Sequence, residues 1–181
     1  MNRTLNIIVA VDIRGGFARK GKIPWKSPKD FKRFQEITKD HYCIMGRRTY
    51  EEIEEIKKKK TKQIVLPFDE PILSDRESIV LSRNSDFAAA GARTRVELQQ
   101  ALDLDCTDEN KKIFILGGEK LFIQAFPDTG TIYQTVIDHD YKCDQFFLNE
   151  VLAKKFKIVE GKEVKERKKT LWFTKWERTH R

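Results

Sequence analysis

The 181 residues suit one globular domain with a single sizeable core. Hydrophobic residues make up 39% and charged residues 35%, alternating in short stretches, which excludes wholesale disorder; no apolar run nears the ~20 residues of a membrane helix. Lys and Arg total 36 against 28 Asp and Glu, a formal charge of +8 that favours anionic partners, whether nucleic acid, phosphorylated cofactors or carboxylate substrates.

Met1-Asn2-Arg3 passes directly into a strand-like segment, so no secretory signal is expected. Leu5 to Val11 (LNIIVAV) is a short apolar run rich in β-branched residues and reads as a buried strand. A loop rich in glycine and lysine follows, from Asp12 to Lys22. Ser27-Pro28-Lys29-Asp30 supplies a helix start, with Ser as N-cap, Pro at the first helical position and an acid at the third; this helix should run to about Lys39. His41 to Gly46 reads as a second strand, and Arg47 opens a second helix continuing through Glu55. Lys57 to Lys60, a solvated face, leads into a segment through Glu70 where Pro67 and Pro71 oppose regular structure.

Glu77 to Ser82 is strand-like, and Arg95 to Leu104 looks helical, with Val96, Leu98, Ala101 and Leu102 on one side. Lys112 to Leu116 is a strand that meets Gly117-Gly118, after which Glu119 to Phe126 is helical until Pro127. Thr131 to Ile137 is a further strand. Phe156 to Val159 and Leu171 to Trp176 form a closing hairpin, with Gly161 near its bend. Strands separated by helices imply an α/β sheet of largely parallel character with an antiparallel edge, in one domain without repeats.

Asp30 is the most informative residue. At ~100° per residue it stands one turn before Phe34 and two before Ile37, so an acid lies within the apolar stripe. Spacing alone leaves two readings open: a carboxylate steadying the first helical turn, or one at the rim of a cleft that bonds a polar ligand and whose pKa burial would raise. Gly117-Gly118, at a strand end before a helix, allows a phosphate to approach the backbone, although a plain tight turn would use the same pair. Gly46-Arg47-Arg48-Thr49 repeats the arrangement with two cations at a helix N-terminus, where they oppose the dipole unless an anion binds. Ser82-Arg83-Asn84 ends a third strand. Three strand ends carrying anion-binding residues match the place where open α/β sheets bind ligands. Cys43, Cys106 and Cys143 are far apart and form no CxxC, so free thiols, a cytoplasmic location and no metal site are expected. Trp25, Trp172 and Trp176 read as core, and His41, His139 and His180 have no partner pattern for a metal or a triad.

In this order the segments resemble the dihydrofolate reductase family along nearly the whole chain: IVAVD at 8–12, GKIPW at 21–25, the helix with Asp30, IMGRRTY at 44–50, IVLSRN at 79–84, FILGGEKLF at 114–122, IYQTVID at 132–138, and LWFTKWER in the hairpin. The resemblance implies a central, mostly parallel eight-stranded sheet with an antiparallel C-terminal edge strand, flanked by about four helices, and an adenosine-binding subdomain at roughly 45–110. It implies reduction of 7,8-dihydrofolate by NADPH, with Asp30 as sole acid in the pteridine pocket, supported by Thr135 and bonded by Trp25 through an ordered water. Ile8, Val9, Ala10, Phe31, Phe34, Thr49, Ile53, Leu116 and Phe122 would line the substrate side. Leu73 would touch the aminobenzoyl ring, and Arg76 would pair with the glutamate α-carboxylate. Arg47, Arg48, Thr49, Gly117, Gly118, Glu119 and Lys120 would hold the cofactor pyrophosphate, and Ser82 and Arg83 the 2′-phosphate. Gly46, Leu81, Leu121, Phe122, Ala10 and Leu116 would complete the cofactor contacts. Residues 15 to 23, with Phe17, Ala18, Gly21, Lys22 and Ile23, would be the loop closing over nicotinamide, Ile23 contacting the reacting rings.

Ala18 stands where the family has glycine, Tyr50 replaces a common Trp, Phe122 replaces a common Tyr, and the chain is longer between Glu54 and Glu70 than in compact bacterial forms. Antifolate inhibitors are expected ligands of a monomer with no membrane or nucleic-acid partner. Two alternatives stand beside this: the related pyrimidine reductase of riboflavin synthesis, from which Pro24-Trp25 followed by Asp30 departs, and a basic nucleic-acid-binding protein using Lys57 to Lys60.

Overall fold

The computed structural model describes residues 3–61 and 71–179. Residues 62–70, the second half of the longer 54–70 stretch, and His180 lie outside them. In chain order, β1 (Leu5–Asp12), β2 (Gly16–Ala18), α1 (Pro28–Thr38), β3 (Tyr42–Gly46) and α2 (Arg47–Thr61) come first. β4 (Glu77–Leu81), β5 (Arg93–Arg95), α3 (Leu98–Leu104), β6 (Ile113–Gly117) and α4 (Glu119–Ala125) follow, α4 running into a 3-10 turn at Phe126–Asp128. The rest is β7 (Thr129–Ile137), β8 (Gln145–Phe146), α5 (Asn149–Lys155), β9 (Phe156–Glu166) and β10 (Lys169–Arg178).

Two compact units divide the chain, Thr38–Leu121 and the pair of segments Met1–Ile37 and Phe122–Arg181. In the first, the strands run β5-β4-β3-β6, all parallel. Ile44, Met45, Ile79, Phe114 and Ile115 are fully buried there, the unbroken apolar runs of parallel strands covered by helices. In the second, the order is β1-β7-β10-β9, with β1 and β7 parallel and the other pairs antiparallel. Among the described residues this makes eight sheet strands, mostly parallel with antiparallel C-terminal strands, and five α-helices where about four were implied. β2 and β8 form a separate two-stranded ribbon.

α1 begins where the sequence predicts. Ser27 Oγ accepts the Asp30 amide at 3.2 Å, and Pro28 at the first position has no amide to satisfy. α2 continues six residues past Glu55 to Thr61, drawing Lys57 to Lys60 into the helix, where Glu54–Lys58 and Glu55–Lys59 pair across one turn.

Three expectations need correcting. Arg95 does not open a helix: residues 93–95 pair with Ile79–Leu81 and the Arg95 carbonyl accepts the Ser82 amide at 2.9 Å, so their backbone groups are committed to the sheet. The helix starts at Leu98, and Val96 is left exposed. Gly161 is no bend; it pairs with Thr174 within β9, and the chain reverses at Arg167-Lys168, with Arg167 at a left-handed φ of 53°. The Asp12 to Lys22 stretch is partly structured rather than a free loop, because β2 pairs with β8.

Candidate active site

The register of the second unit fixes what surrounds Asp30. Ala10 on β1, Thr135 on β7 and Phe173 on β10 are directly opposite one another, so their side chains share one face of the strands. Asp30, half-buried near the start of α1, has the Thr135 hydroxyl beside it. Burial pushes its carboxyl above the usual range; the Thr135 hydroxyl and the nearby Arg33 guanidinium pull it back, and Glu166 raises it again. A carboxylate so placed is poised to hold a proton at higher pH than an ordinary surface acid.

Trp25 is buried against Ile137 and Leu171, with Ala10, Tyr141 and Phe173 packed on the same cluster. Val9 is buried and Ile8 and Ala10 half-buried, as the alternation of a strand requires. Phe31 and Phe34 sit 6.1 Å apart on α1, and Phe31 is 44% exposed. Ile23 is 51% exposed, so it and Phe31, the residue after Asp30, leave apolar surface of this unit open.

The segment expected to close over a cofactor is docked in this unit. Asp12 Oδ1 accepts the amides of Arg14 and Gly16, both at 2.9 Å, while Oδ2 accepts that of Tyr141 at 3.1 Å. Asp144 Oδ2 accepts the Lys20 amide at 2.8 Å, and the Ala18 carbonyl accepts the Asp144 amide. Ala18 is thus a buried strand residue rather than a free hinge. Phe17 stacks edge-on with Phe122, which meets Phe147 the same way, so the ring of Phe122 is fully packed. Gly21 and Lys22 are exposed, Lys22 bridging back to Arg19.

The glycine and arginine motifs gather in the other unit. A Cβ on Gly46 would come within 3.6 Å of the Gly117 carbonyl and the Gly118 amide, and one on Gly118 within 3.9 Å of Thr49 Oγ1. Gly117 has φ 114°, open only to glycine, and the Gly117-Gly118 peptide is cis. This leaves bare backbone beside the N-terminus of α2, a setting that suits a polyphosphate. Arg47 pairs with Glu51 at 2.6 Å and lies over the Phe87 ring; Arg48, Glu119 and Lys120 are exposed, and Leu116 and Ile53 half-buried. Leu121 is buried, and at the end of β4 Leu81 is half-buried, Ser82 buried and Arg83 exposed. Tyr50, where a Trp is common, donates its hydroxyl to the Ala90 carbonyl. Arg76 Nε donates to Thr38 Oγ1 at 2.7 Å and another of its nitrogens bonds the Ser74 carbonyl, with Leu73 buried beside them in sequence.

Four residues of this framework escaped the sequence reading: Arg33, Glu166, Asp12 and Asp144. Arg33 had a signal, since a second charged residue three positions after Asp30 falls on the same side of the helix. Glu166, buried and accepting the Lys29 amide at 2.8 Å, had none. Its nearness to Asp30 means that the acid is not electrostatically alone.

Among the described residues no helix is long and apolar enough to cross a membrane. The family model for dihydrofolate reductase matches residues 4–178. A dihydrofolate reductase from Mycobacterium tuberculosis is 31% identical, covering 74% of this chain and 71% of its own. One from Enterococcus faecium is 29% identical over 85% and 83%. A soybean bifunctional dihydrofolate reductase-thymidylate synthase is 31% identical, and this chain spans only 28% of its length. A solved Enterococcus faecalis dihydrofolate reductase, complexed with NADP(H) and RAB-propyl, superposes with a TM-score of 0.79 at 25% identity, covering 98% of this chain and 97% of its own. Neither the riboflavin-pathway reductase nor a nucleic-acid-binding protein is favoured by these matches, and the chain belongs to the dihydrofolate reductase family.

Proposed function

We propose that this chain reduces 7,8-dihydrofolate to 5,6,7,8-tetrahydrofolate with NADPH, feeding one-carbon and thymidylate metabolism. The observation that carries the reading is the half-buried Asp30 carboxyl, with the Thr135 hydroxyl beside it, in a chain of this family. NADPH supplies the hydride that arrives at pteridine C6.

Asp30 bonds the pteridine amino group and N3 and, with its raised proton affinity, assists protonation at N5. Thr135 steadies the carboxylate, and Trp25 bonds it through a water. Ile8, Val9, Ala10, Phe31, Phe34 and Ile53 give the ring an apolar surround. Arg76, oriented by Thr38 and the Ser74 carbonyl, takes the glutamate α-carboxylate. The bare backbone at Gly117-Gly118 and the N-terminus of α2, with Arg47, Arg48, Thr49 and Lys120, holds the pyrophosphate, and Ser82 with Arg83 selects the 2′-phosphate. Residues 15 to 23 exclude water over the nicotinamide. The three free cysteines fit a reducing cytoplasm, where the enzyme acts as a monomer. Antifolates compete through Asp30.

Spectrophotometric loss of NADPH on adding dihydrofolate, abolished by an antifolate, is the test. A pure protein that binds NADPH and leaves dihydrofolate unreduced would overturn the reading.

A further inference from the structure

Arg33 is a half-buried cation to which the proposed reaction assigns no role. From the second turn of α1 its Nη1 donates to the Gln134 carbonyl at 3.0 Å and to Thr135 Oγ1 at 2.9 Å, and its Nη2 donates to the Thr174 carbonyl at 2.8 Å. The guanidinium carbon Cζ lies 4.7 Å from the centre of the Phe173 ring. One side chain therefore ties α1 to both β7 and β10, at the register level of Thr135 and Phe173.

The bond to Thr135 has a directional consequence. A hydroxyl has one hydrogen to give, and an oxygen that accepts from a guanidinium keeps that hydrogen for another partner. The Thr135 hydroxyl also lies beside Asp30 and favours its ionised form. The geometry points to Arg33 as a positioning residue that turns the Thr135 hydroxyl hydrogen toward Asp30 and keeps a half-buried cation beside the carboxylate. Arg33 Nη1–H donates to Thr135 Oγ1, which leaves the Thr135 hydrogen to turn toward the Asp30 carboxyl, and no proton need leave the guanidinium.

The charges around the pair define the sign. Asp30 feels Arg33 on its own helix, the Thr135 hydroxyl from β7 and Glu166 from β9. Arg33 feels Asp30, Tyr133 on β7 and Glu160 on β9. Lys162 and Lys175 join Arg33, Tyr133 and Glu160 around a cavity of about 360 Å³. Lys175 is held by Glu160 at 3.1 Å and Glu177 at 3.2 Å. Burial raises Asp30, and Arg33 and Thr135 both favour its ionised form. Removing either should therefore raise the carboxyl further.

The inference rests on Asp30 being the acid of the proposed reaction, and its test has a readout independent of turnover. The Asp30 carboxyl carbon, assigned by its loss in D30N, is titrated by NMR in the ligand-free protein. R33M should move its midpoint up by about one unit, the low end of what an opposite charge at close range produces. T135V should move it the same way, and the double variant by less than the sum of the two. R33K, which keeps the charge without the fork, should recover more than half of the R33M shift. R33L, neutral and unable to donate, carries the R33M expectation and replaces it if R33M does not fold. A merely structural arginine would lower stability and leave the Asp30 titration unmoved; that result, in a folded neutral variant, overturns the inference. Failure of the wild-type protein to oxidise NADPH with dihydrofolate would instead overturn the functional reading and leave the titration to be judged by itself.

Discussion

Thr38→Val isolates the support of Arg76 from the chemistry. Thr38 is completely buried at the end of α1, and its Oγ1 accepts Arg76 Nε at 2.7 Å. Valine fills almost the same volume without an acceptor. Arg76 would keep its bond to the Ser74 carbonyl and lose the contact that fixes the plane of the guanidinium. A hydrogen bond to a charged group contributes about 1.5–3 kcal/mol. Arg76 is half-exposed, so water recovers part of this, leaving about 1–2 kcal/mol to appear in binding of the glutamate carboxylate. That corresponds to a roughly 5–30-fold rise in KM for dihydrofolate. Because Arg76 is far from the reacting atoms of the substrate in covalent terms, kcat should stay within about twofold, the signature of lost uniform binding. Steady-state kinetics over a range of dihydrofolate, with NADPH saturating, reads both constants. Unchanged KM, or kcat falling in step with kcat/KM, would refute the assigned support.

Asp30→Asn should lower the single-turnover rate at neutral pH by about 100-fold or more, the scale of general-acid assistance. Its stability should move the other way: the native Asp30 pKa is raised, so the carboxyl's stabilising contribution is present below its unfolded pKa and lost as pH rises through the native value. The melting temperature of D30N should therefore exceed that of the wild type near neutrality and converge with it in acid; a lower one at neutral pH would contradict the burial argument. Asp144→Ala removes the acceptor of the Lys20 amide, and exchange of that amide measured by NMR should accelerate by about fivefold, for a net bond of roughly 1 kcal/mol; unchanged protection would mean that the 15–23 segment is held by other contacts. Arg83→Ser should raise KM for NADPH by about tenfold and leave that for NADH near its wild-type value; an equal effect on both cofactors would detach Arg83 from the 2′-phosphate.

Local patterns that carry their own physics were readable in the sequence. Ser27-Pro28 specifies a helix start without help from the rest of the chain, and LNIIVAV, short and rich in β-branched residues, reads as a covered strand and is one. Arg95 and Gly161 were misread because partners distant in sequence decide their state: Arg95 pairs with β4, and Gly161 is carried through a long antiparallel ladder by Thr174. α5 was missed for another reason, its seven residues being too short for a clear helical period. Around Asp30, the apolar stripe exposed the acid but not its company. Glu166 reaches it through the register of β9, which depends on a turn at Arg167 that carries no glycine. Asp12 and Asp144 resemble ordinary loop carboxylates until the backbone amides they accept are known.

β7 is flanked by the first strand of the chain on one side and by β10 on the other, whereas Thr38–Leu121 is continuous in sequence. A ribosome therefore delivers the four parallel strands of that stretch in one piece, while β1 waits for a neighbour made much later. Until β10 emerges, one edge of β7 presents unmatched amides and carbonyls, open to chaperones or to association with other nascent chains. Folding of that half should be the slow phase, since its defining contacts join segments remote along the polypeptide.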